Sequence, residues 1–257
     1  MLTPTPIHHR VMFSDLAQCQ PPELITVQGP EAQHLAKVKR ARVGEVVGVL
    51  DGQGTLGIGE IAEITGSKQR PMIAIMLDHI EMIASITPRI DICCPVPKGD
   101  RLDRMIDQLT QIGVVSWTPL MTDRSERDPK TIRLDRLDRI INEALKQCTR
   151  ARSLIIHDPM TIDQVLDHAQ AQSDPSMAML VCDGGGDSPL VSSDVDQHAR
   201  IVIGPEGGWS DAERSIFVDA KLPVRRLGVH VLRLESAAVV AGALALAGAS
   251  SSIPTGD

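Results

Sequence analysis

One stretch of the chain joins the end of an apolar run, a glycine-rich turn and the start of a helix: IGPEGGWSDAE, residues 203–213. A turn that cradles a phosphate offers backbone N–H groups and a cation, as in G-x-x-x-x-G-K-[ST]. This turn carries Glu206 and no Lys or Arg. A carboxylate repels a phosphate, so the turn predicts a ligand that phosphate does not dominate. Ser210 and Glu213 fit a capping box, S-x-x-E, which leaves Glu206 as the carboxylate without a structural task.

Two other loops share this glycine-rich character: CDGGGD at residues 182–187 and LGVHVLRLES at residues 227–236. Each follows an apolar run that is predicted to be a strand. Ligands of open α/β sheets lie at the carboxyl ends of the strands, and glycine lets the backbone approach a flat ligand. The three loops therefore predict one binding site, although they could be only tight strand-to-helix turns.

The elements that must position these loops belong to a pattern that begins near residue 89, where apolar runs alternate with helical stretches. Such β-α repeats predict a parallel α/β sheet. Strands are predicted at RIDICCPV, VVSWTPLM, SLIIHDP, MAMLVCD, RIVIGPE and residues 224–227. Helices are predicted over residues 99–113 (closed by Gly113), 132–150, 162–171, 211–220 and from about residue 235.

Residues 1–84 have a different pattern, in which short apolar runs are separated by turn signals. Asp51-Gly52 and Gly54 are typical of a hairpin, and one helix is expected over residues 31–40. This predicts a small β-barrel or sandwich. The chain thus divides into a first domain over residues 1–84 and a second over residues 85–257.

Composition narrows the function. The 257 residues include two Phe, two Trp and no Tyr, so stacking of bases on aromatic platforms is nearly unavailable. The net charge of −7 argues against a non-specific nucleic-acid binder, yet local patches can bind RNA. Residues 34–42 hold Lys37, Lys39, Arg40 and Arg42 without an acid, and residues 124–152 are also rich in Lys and Arg. Both stretches are either RNA-binding surfaces or solvated helix faces.

Several other classes of site lack support. The five cysteines form no C-x-x-C pair, which argues against a disulfide framework and a cysteine zinc site, and no metal site is predicted. No H-E-x-x-H or G-x-S-x-G motif occurs. The N-terminus has no apolar signal core, and the longest apolar run, residues 237–249, is shorter than the about twenty residues of a membrane span. A cytoplasmic protein is expected.

With these residues in view, the chain resembles the bacterial 16S ribosomal RNA uracil-N3 methyltransferases of the SPOUT superfamily. The specific match is IGPEGGWSDAE followed by LGVHVLRLESA at residues 227–237. Supporting matches are HRVMF, HLAKVKRARVGEVVGVLDGQG, KGDRLDRMIDQLTQIGV and INEALKQCTR. The chain departs from the family pattern at Leu109 and Gln111, where Lys and Glu are usual, and at Leu234, where Thr is usual.

The resemblance implies a PUA-like RNA-binding β-barrel followed by a SPOUT-type parallel sheet with a C-terminal trefoil knot. It implies a homodimer packed through the knot region and S-adenosylmethionine as cofactor. The cofactor would lie against Cys182, Asp183, Gly184, Ile203, Gly204, Pro205, Glu206, Gly208, Leu227, Gly228, Val231 and Leu232. A cationic sulfonium ligand would also suit Glu206, which a phosphate does not.

Methylation of uracil N3 requires removal of its proton and stabilisation of the resulting negative charge. The candidates are Arg233 for the charge and Glu206 or Glu235 as base or orienting group; alternatively, Arg233 forms a structural ion pair with one of these acids. Arg10, Lys37, Arg40 and Arg42 are candidate RNA contacts.

The partner is expected to be 16S ribosomal RNA or the small subunit. Two alternatives stay open: a non-catalytic RNA-binding ribosome-assembly protein, and a SPOUT enzyme for another RNA.

Overall fold

The computed structural model describes residues 7–171 and 176–249. Predictions for residues 1–6 and 250–257, at the two ends of the chain, lie outside the described residues. Within the described part, one compact unit comprises residues 7–85 and Leu145–Ser153, and a second comprises residues 86–144, 154–171 and 176–249.

The first unit is built on five strands, as its alternating pattern predicts. They pair in the order β1-β3-β4-β5-β2, and all pairs except the parallel β1–β3 are antiparallel. On β5, Ile73 and Ile75 are buried while Met72 and Met76 are exposed, so one face of the strand covers the aliphatic core. The strands are β1 (His9–Met12), β2 (Glu23–Val27), β3 (Val46–Leu50), β4 (Thr55–Gly66) and β5 (Pro71–Met82).

Local signals in the first unit are confirmed. Asp51 Oδ1 accepts hydrogen bonds from the backbone N–H groups of Gln53 (2.7 Å) and Thr55 (2.9 Å), which closes the β3–β4 hairpin. Gly54 in that turn has φ 115°, a conformation that glycine adopts readily. The expected helix is α1 (Gly29–Gln33) continued by a π-helical turn over His34–Val38, so it begins and ends two residues earlier than predicted.

The second unit contains a parallel sheet of eight strands within the described residues, in the order β11-β13-β10-β12-β6-β7-β8, with β9 also pairing with β7. Every pairing is parallel, as predicted. The strands are β6 (Arg89–Cys94), β7 (Ser116–Met121), β8 (Ile155–Ile156), β9 (Met160–Thr161), β10 (Met177–Cys182), β11 (Ser188–Pro189), β12 (His198–Ile203) and β13 (Val224–Arg226). Within the strand predicted at SLIIHDP only β8 forms, β9 begins just after that stretch, and β9 and β11 are too short to leave a sequence signal.

Helices alternate with these strands: α2 (Arg101–Ile112), α3 (Leu134–Cys148), α4 (Ile162–Ala171), α5 (Asp211–Asp219) and α6 (Leu234–Leu246). Gly113 has φ 99° and closes α2, as predicted. Helix α3 is two residues shorter at each end than predicted, because Pro129–Thr131 form a 3-10 turn before it and Thr149 takes a left-handed φ of 59° after it.

The apolar run near the C-terminus is helix α6, which packs on α2. A Cβ atom on Gly242 would lie 2.8 Å from Val114 Cγ2 and 3.0 Å from Ile112 Cδ1, so the small residue permits this close approach. Leu109 of α2 is fully buried, so this departure from the family pattern is a core residue. Among the described helices, none is long and apolar enough to cross a membrane.

Candidate functional site

The three glycine-rich loops follow β10, β12 and β13, which are neighbours in the sheet, and they meet at its carboxyl edge. Together they line a cavity of about 390 Å³. All twelve residues predicted to contact a cofactor line this cavity: Cys182, Asp183, Gly184, Ile203, Gly204, Pro205, Glu206, Gly208, Leu227, Gly228, Val231 and Leu232. The loops are therefore more than separate tight turns, because they share one cavity.

Six further residues line the cavity beyond those twelve: Gly207, Trp209, Arg214, His230, Leu234 and Ala237. Gly207 and Trp209 belong to the quoted motif, so its full length was the available signal. Leu234 is 3% exposed and forms part of the wall, which gives this departure from the family pattern a packing role.

Trp209 shapes the floor of the glycine-rich turn. Its ring packs against Gly204 so closely that a Cβ atom there would lie 2.8 Å from the indole, and it makes an edge-on contact with Phe217 at 4.8 Å between ring centroids. The buried Nε1–H of Trp209 has no hydrogen-bond partner within the described residues. A buried donor without an acceptor is costly, so a ligand in the cavity could stabilise it.

The capping box is confirmed and fixes the other side of the turn. Ser210 Oγ accepts from the Glu213 N–H (3.2 Å), and Glu213 Oε2 accepts from the Ser210 N–H (2.7 Å). Glu213 Oε1 also accepts from the Asp123 N–H (3.0 Å), and Arg124 donates to the Gly207 carbonyl (3.0 Å). The loop after β7 thus holds the turn that carries Glu206.

The loop after β10 is held by its own side chains. Asp183 Oδ1 accepts from the Gly185 N–H (2.8 Å), and Asp183 Oδ2 pairs with Arg214 of α5 (3.0 Å). Burial, with a smaller contribution from the negative charge of Asp194, raises the pKa of Cys182 to about 12. Cys182 is therefore a neutral thiol near neutral pH and serves as wall rather than as nucleophile.

The two candidate acids share a cation, and that cation is Arg101. Arg101 Nη1 lies 4.0 Å from Glu206 Oε1, and Arg101 Nε lies 3.8 Å from Glu235 Oε1. Glu235 Oε2 is buried and has no hydrogen-bond partner among the described residues. The sequence missed Arg101, whose only signal was its place in KGDR, after the carboxyl end of β6.

For Arg233, the position of the side chain bears on the alternative of a structural ion pair, while its charge-stabilising role stays a prediction. It occupies the N-cap position of α6 and is exposed, and no ion pair of it is found in the described part of the chain. The alternative of a structural ion pair between Arg233 and Glu206 or Glu235 is therefore wrong, because both acids face Arg101 instead.

The predicted RNA contacts lie in the first unit. Lys37, Arg40 and Arg42 are exposed along one segment, and Arg40 has a left-handed φ of 54°. Arg10 differs, because it is partly buried and burial lowers its pKa. In the stretch 124–152, Arg133 and Arg139 pair with Asp135 at 3.1 and 3.0 Å, and so this helix surface fits the solvated alternative.

Comparisons with known proteins give the following matches. A family model described as an RNA methyltransferase domain matches residues 85–246, and one described as an RNA methyltransferase PUA domain matches residues 27–69. A relative from Synechocystis sp., named ribosomal RNA small subunit methyltransferase E, is 27% identical over 223 residues, which cover 84% of this chain and 71% of the relative.

Solved structures show the same fold. A probable rRNA-methyltransferase from Porphyromonas gingivalis has a TM-score of 0.75 at 26% identity, covering 91% of this chain and 95% of the other. A ribosomal RNA small subunit methyltransferase E from Neisseria gonorrhoeae, bound to S-adenosyl methionine, has a TM-score of 0.75 at 22% identity, covering 93% and 97%.

Proposed function

Because the chain belongs to the RNA methyltransferase domain family, we propose that it transfers a methyl group from S-adenosylmethionine to N3 of a specific uridine in 16S ribosomal RNA. The observation that carries the proposal is the cavity at the carboxyl edge of the sheet, which is lined by three glycine-rich loops and by Glu206. Support for the cofactor and substrate comes from the relatives that are named as ribosomal RNA methyltransferases and from one solved with S-adenosyl methionine.

The residues of the cavity fit this cofactor. Its volume of about 390 Å³ lies in the range of small-molecule sites, about 300 to 1,000 Å³. The backbone is open at Gly184, Gly208 and Gly228, where an added Cβ atom would meet nothing within 4 Å. Trp209 offers an N–H that has no partner in the described part of the chain, and Glu206 offers a negative charge to a cationic ligand.

When bound, S-adenosylmethionine supplies a methyl carbon on a sulfonium sulfur: the N3 lone pair bonds to that carbon, and the carbon–sulfur bond breaks with its electron pair left on sulfur. The protein must hold the uracil ring in line with that methyl group and remove the N3 proton. Glu235 is the better candidate base, because its buried Oε2 is an acceptor without a partner in the described residues. The proton passes from N3 to this carboxylate and then to water.

Two other side chains complete the proposed site. Glu206 faces the cavity and complements the sulfonium charge or orients the base. The exposed Arg233, two residues before Glu235 in the chain, stabilises the negative charge that spreads over the uracil oxygens when N3 loses its proton. The first unit, residues 1–84 in this proposal, is a PUA-like barrel whose Arg10, Lys37, Arg40 and Arg42 contact the RNA backbone.

The proposal extends to the knot, the dimer and the compartment. All three cavity loops lie within residues 182–236, and α6 packs on α2 and β6, an arrangement that supports a trefoil knot in this segment. Val229 and Val231 are 89% and 97% exposed beside the cavity, which supports a homodimer packed through this region. An enzyme that acts on ribosomal RNA in a bacterium works in the cytoplasm.

Isothermal titration calorimetry with S-adenosylmethionine, paired with transfer of labelled methyl groups to ribosomal RNA, tests this function. We expect both binding and transfer. Binding without transfer to small-subunit RNA would favour a SPOUT enzyme for another RNA. Absence of both would favour a non-catalytic assembly protein, because such a protein has no need of the cofactor.

A further inference from the structure

We propose that Arg101 is a positioning residue that holds Glu206 and Glu235 in the orientation that methyl transfer requires. This inference rests on the proposed function. Its guanidinium lies 4.0 Å from one carboxylate and 3.8 Å from the other. The two acids come from different elements, the turn after β12 and the first turn of α6, and Arg101 comes from a third. One side chain thus ties three elements together, and one of its partners, Glu206, lines the cavity.

The packing beneath Arg101 keeps it in place. It begins α2, where the next residue, Leu102, is buried, and so is Met105 one turn on. Helix α2 in turn packs on α6, where Gly242 allows close approach. Because α6 carries Glu235 in its first turn, the separation between Arg101 and Glu235 is set by helix packing and not by a loop.

The charge of Arg101 acts on both Glu206 and Glu235. Two carboxylates near each other repel, and a cation between them reduces that repulsion. One guanidinium against two carboxylates leaves a net negative charge, which suits a cationic cofactor. The distances of 3.8 and 4.0 Å are longer than hydrogen bonds, so the charge orients Glu235 without occupying its Oε2, which has no partner among the residues that the structure describes. That oxygen stays available to accept the uracil proton.

The side chain must be an arginine for this task. A guanidinium is a planar fork that presents several N–H groups in fixed directions, whereas a lysine ammonium is a compact point charge on a flexible stem. Lysine at position 101 could approach one carboxylate but could not present two edges to two acids at once.

The test compares Arg101→Ala, Arg101→Gln and Arg101→Lys with the wild-type protein. Arg104→Ala is the matched control, since Arg104 lies one turn along the same helix, is more exposed and pairs with Asp100. Circular dichroism checks folding, calorimetry gives the affinity for S-adenosylmethionine, and steady-state kinetics on ribosomal RNA separate kcat from KM.

We expect Arg101→Ala and Arg101→Gln to lower kcat about 100-fold, the scale of a misplaced catalytic group. The cofactor affinity and the KM for RNA should change by no more than about fivefold, the scale of a partly exposed ion pair. Arg101→Lys should restore only part of kcat, and Arg104→Ala should match the wild type. In a Glu235→Gln background, Arg101→Ala should add little, because it acts through Glu235.

The outcomes separate this inference from the proposed function. A wild-type protein that transfers no methyl group to ribosomal RNA overturns the proposed function, and the inference with it. A wild-type protein that is active, together with a folded Arg101→Ala variant of equal kcat, overturns the inference alone. So does a full multiplicative loss in the double variant, because it would make Arg101 independent of Glu235.

Discussion

At the scale of single residues, the account depends on a carboxylate that faces the cavity and on a second one whose buried oxygen has no partner in the described residues. The fold brings Glu206 and Glu235 within 4.0 Å of the Arg101 guanidinium. In the sequence, the two acids are 29 positions apart and both are far from Arg101. Because two acids and a cation meet beside the glycine-rich turn, this turn is a candidate reaction site.

The charge of Glu206 can be tested with a pair of ligands. We expect Glu206→Gln to weaken binding of S-adenosylmethionine by up to about tenfold, or about 1.4 kcal/mol, because the loss removes a partner of the sulfonium cation. Binding of S-adenosylhomocysteine, which is neutral at sulfur, should be unchanged. Calorimetry measures both, with Glu126→Gln as a control at an exposed carboxylate that pairs with Lys98. Equal weakening of both ligands would contradict a charge-specific role.

The residues of the site were predictable in part. The loops were found because glycine and strand ends leave a local pattern, and the twelve cofactor contacts that the family resemblance implied all line the cavity. Arg101 was missed because its partners lie more than a hundred residues away, and no local pattern reports such a distance. Arg233 was predicted to stabilise charge, with a structural ion pair to one of the acids as the alternative; as the N-cap of α6 its side chain is exposed.

At the scale of elements, the turn depends on the start of α5. Ser210 and Glu213 satisfy each other's backbone N–H groups, and Glu213 is 5% exposed because it also binds the loop after β7. The element is therefore both a helix start and a brace for the cavity.

Loss of this cap should be measurable. We expect Ser210→Ala to lower the free energy of unfolding by about 1 kcal/mol, the usual cost of removing an N-cap side chain. Chemical denaturation gives the value. Ser215→Ala serves as control, since Ser215 Oγ donates to the Asp211 carbonyl within the same helix and caps no helix start. Equal stability of wild type and Ser210→Ala would contradict a stabilising cap.

The sheet holds a second charged cluster at the opposite, amino end of its strands. Asp91 of β6 accepts hydrogen bonds from His198 (2.8 Å) and Ser116 (2.6 Å) and lies 3.7 Å from Arg200. Burial opposes ionisation of Asp91, but these hydrogen bonds and the charges of His198 and Arg200 hold its pKa below the usual value. His157, whose own pKa is lowered mainly by burial, also lies within electrostatic reach of Asp91.

This cluster predicts a pH dependence of stability. Because the folded-state pKa of Asp91 lies below its unfolded value of about 3.9, the ionised carboxylate stabilises the fold above that pH. The contribution is lost as the pH falls through the folded-state pKa. We expect Asp91→Asn to lower the free energy of unfolding by about 3 kcal/mol at neutral pH, as a broken buried pair does. Below about pH 4, the free energy of unfolding of the variant should fall less steeply with pH than that of the wild type. Chemical denaturation at several pH values measures both effects. An unchanged pH dependence below about pH 4 would contradict a stabilising role of ionised Asp91.

Element types were the most predictable level. The β-α alternation gave the parallel sheet, and the capping and glycine signals gave the ends of α2 and α5. The predicted strand at SLIIHDP contains β8, but β9 and β11 were not predicted, since two residues carry no period. The ends of α3 depend on a 3-10 turn and on the left-handed Thr149, which periodicity does not report.

At the scale of the whole molecule, RNA binding and self-association are the two properties still to be measured. The exposed Lys37, Arg40 and Arg42 form a basic segment in a chain of net charge −7. Local basic segments of this kind bind RNA through phosphate contacts, and such contacts depend on salt.

We expect Arg40→Ala to weaken RNA binding and to lower the slope of log affinity against log salt by about one unit, as the loss of one phosphate contact does. Fluorescence anisotropy with a ribosomal RNA fragment at several salt concentrations gives the slope. Arg139→Ala is the control, because Arg139 is already paired with Asp135. An unchanged slope would return Arg40 to the role of a solvated surface charge.

Self-association can be tested at the exposed valines. Sedimentation velocity should show a dimer for the wild-type chain, and Val231→Asp should shift it to monomer, because a charge in an apolar interface is left without water or a partner. Val43→Asp, at a valine that is 59% exposed in the first unit, should leave the dimer intact. A wild-type monomer at micromolar concentration would contradict the proposed homodimer.

The measurement that tests the central claim most directly is nucleoside mass spectrometry. Small ribosomal subunits that lack N3-methyluridine are incubated with the protein and S-adenosylmethionine, and their RNA is then digested. We predict that N3-methyluridine forms only when both protein and cofactor are present, and that Glu235→Gln lowers its yield. RNA without N3-methyluridine, from a wild-type protein that binds the cofactor, would contradict the assignment of this uridine nitrogen as the target.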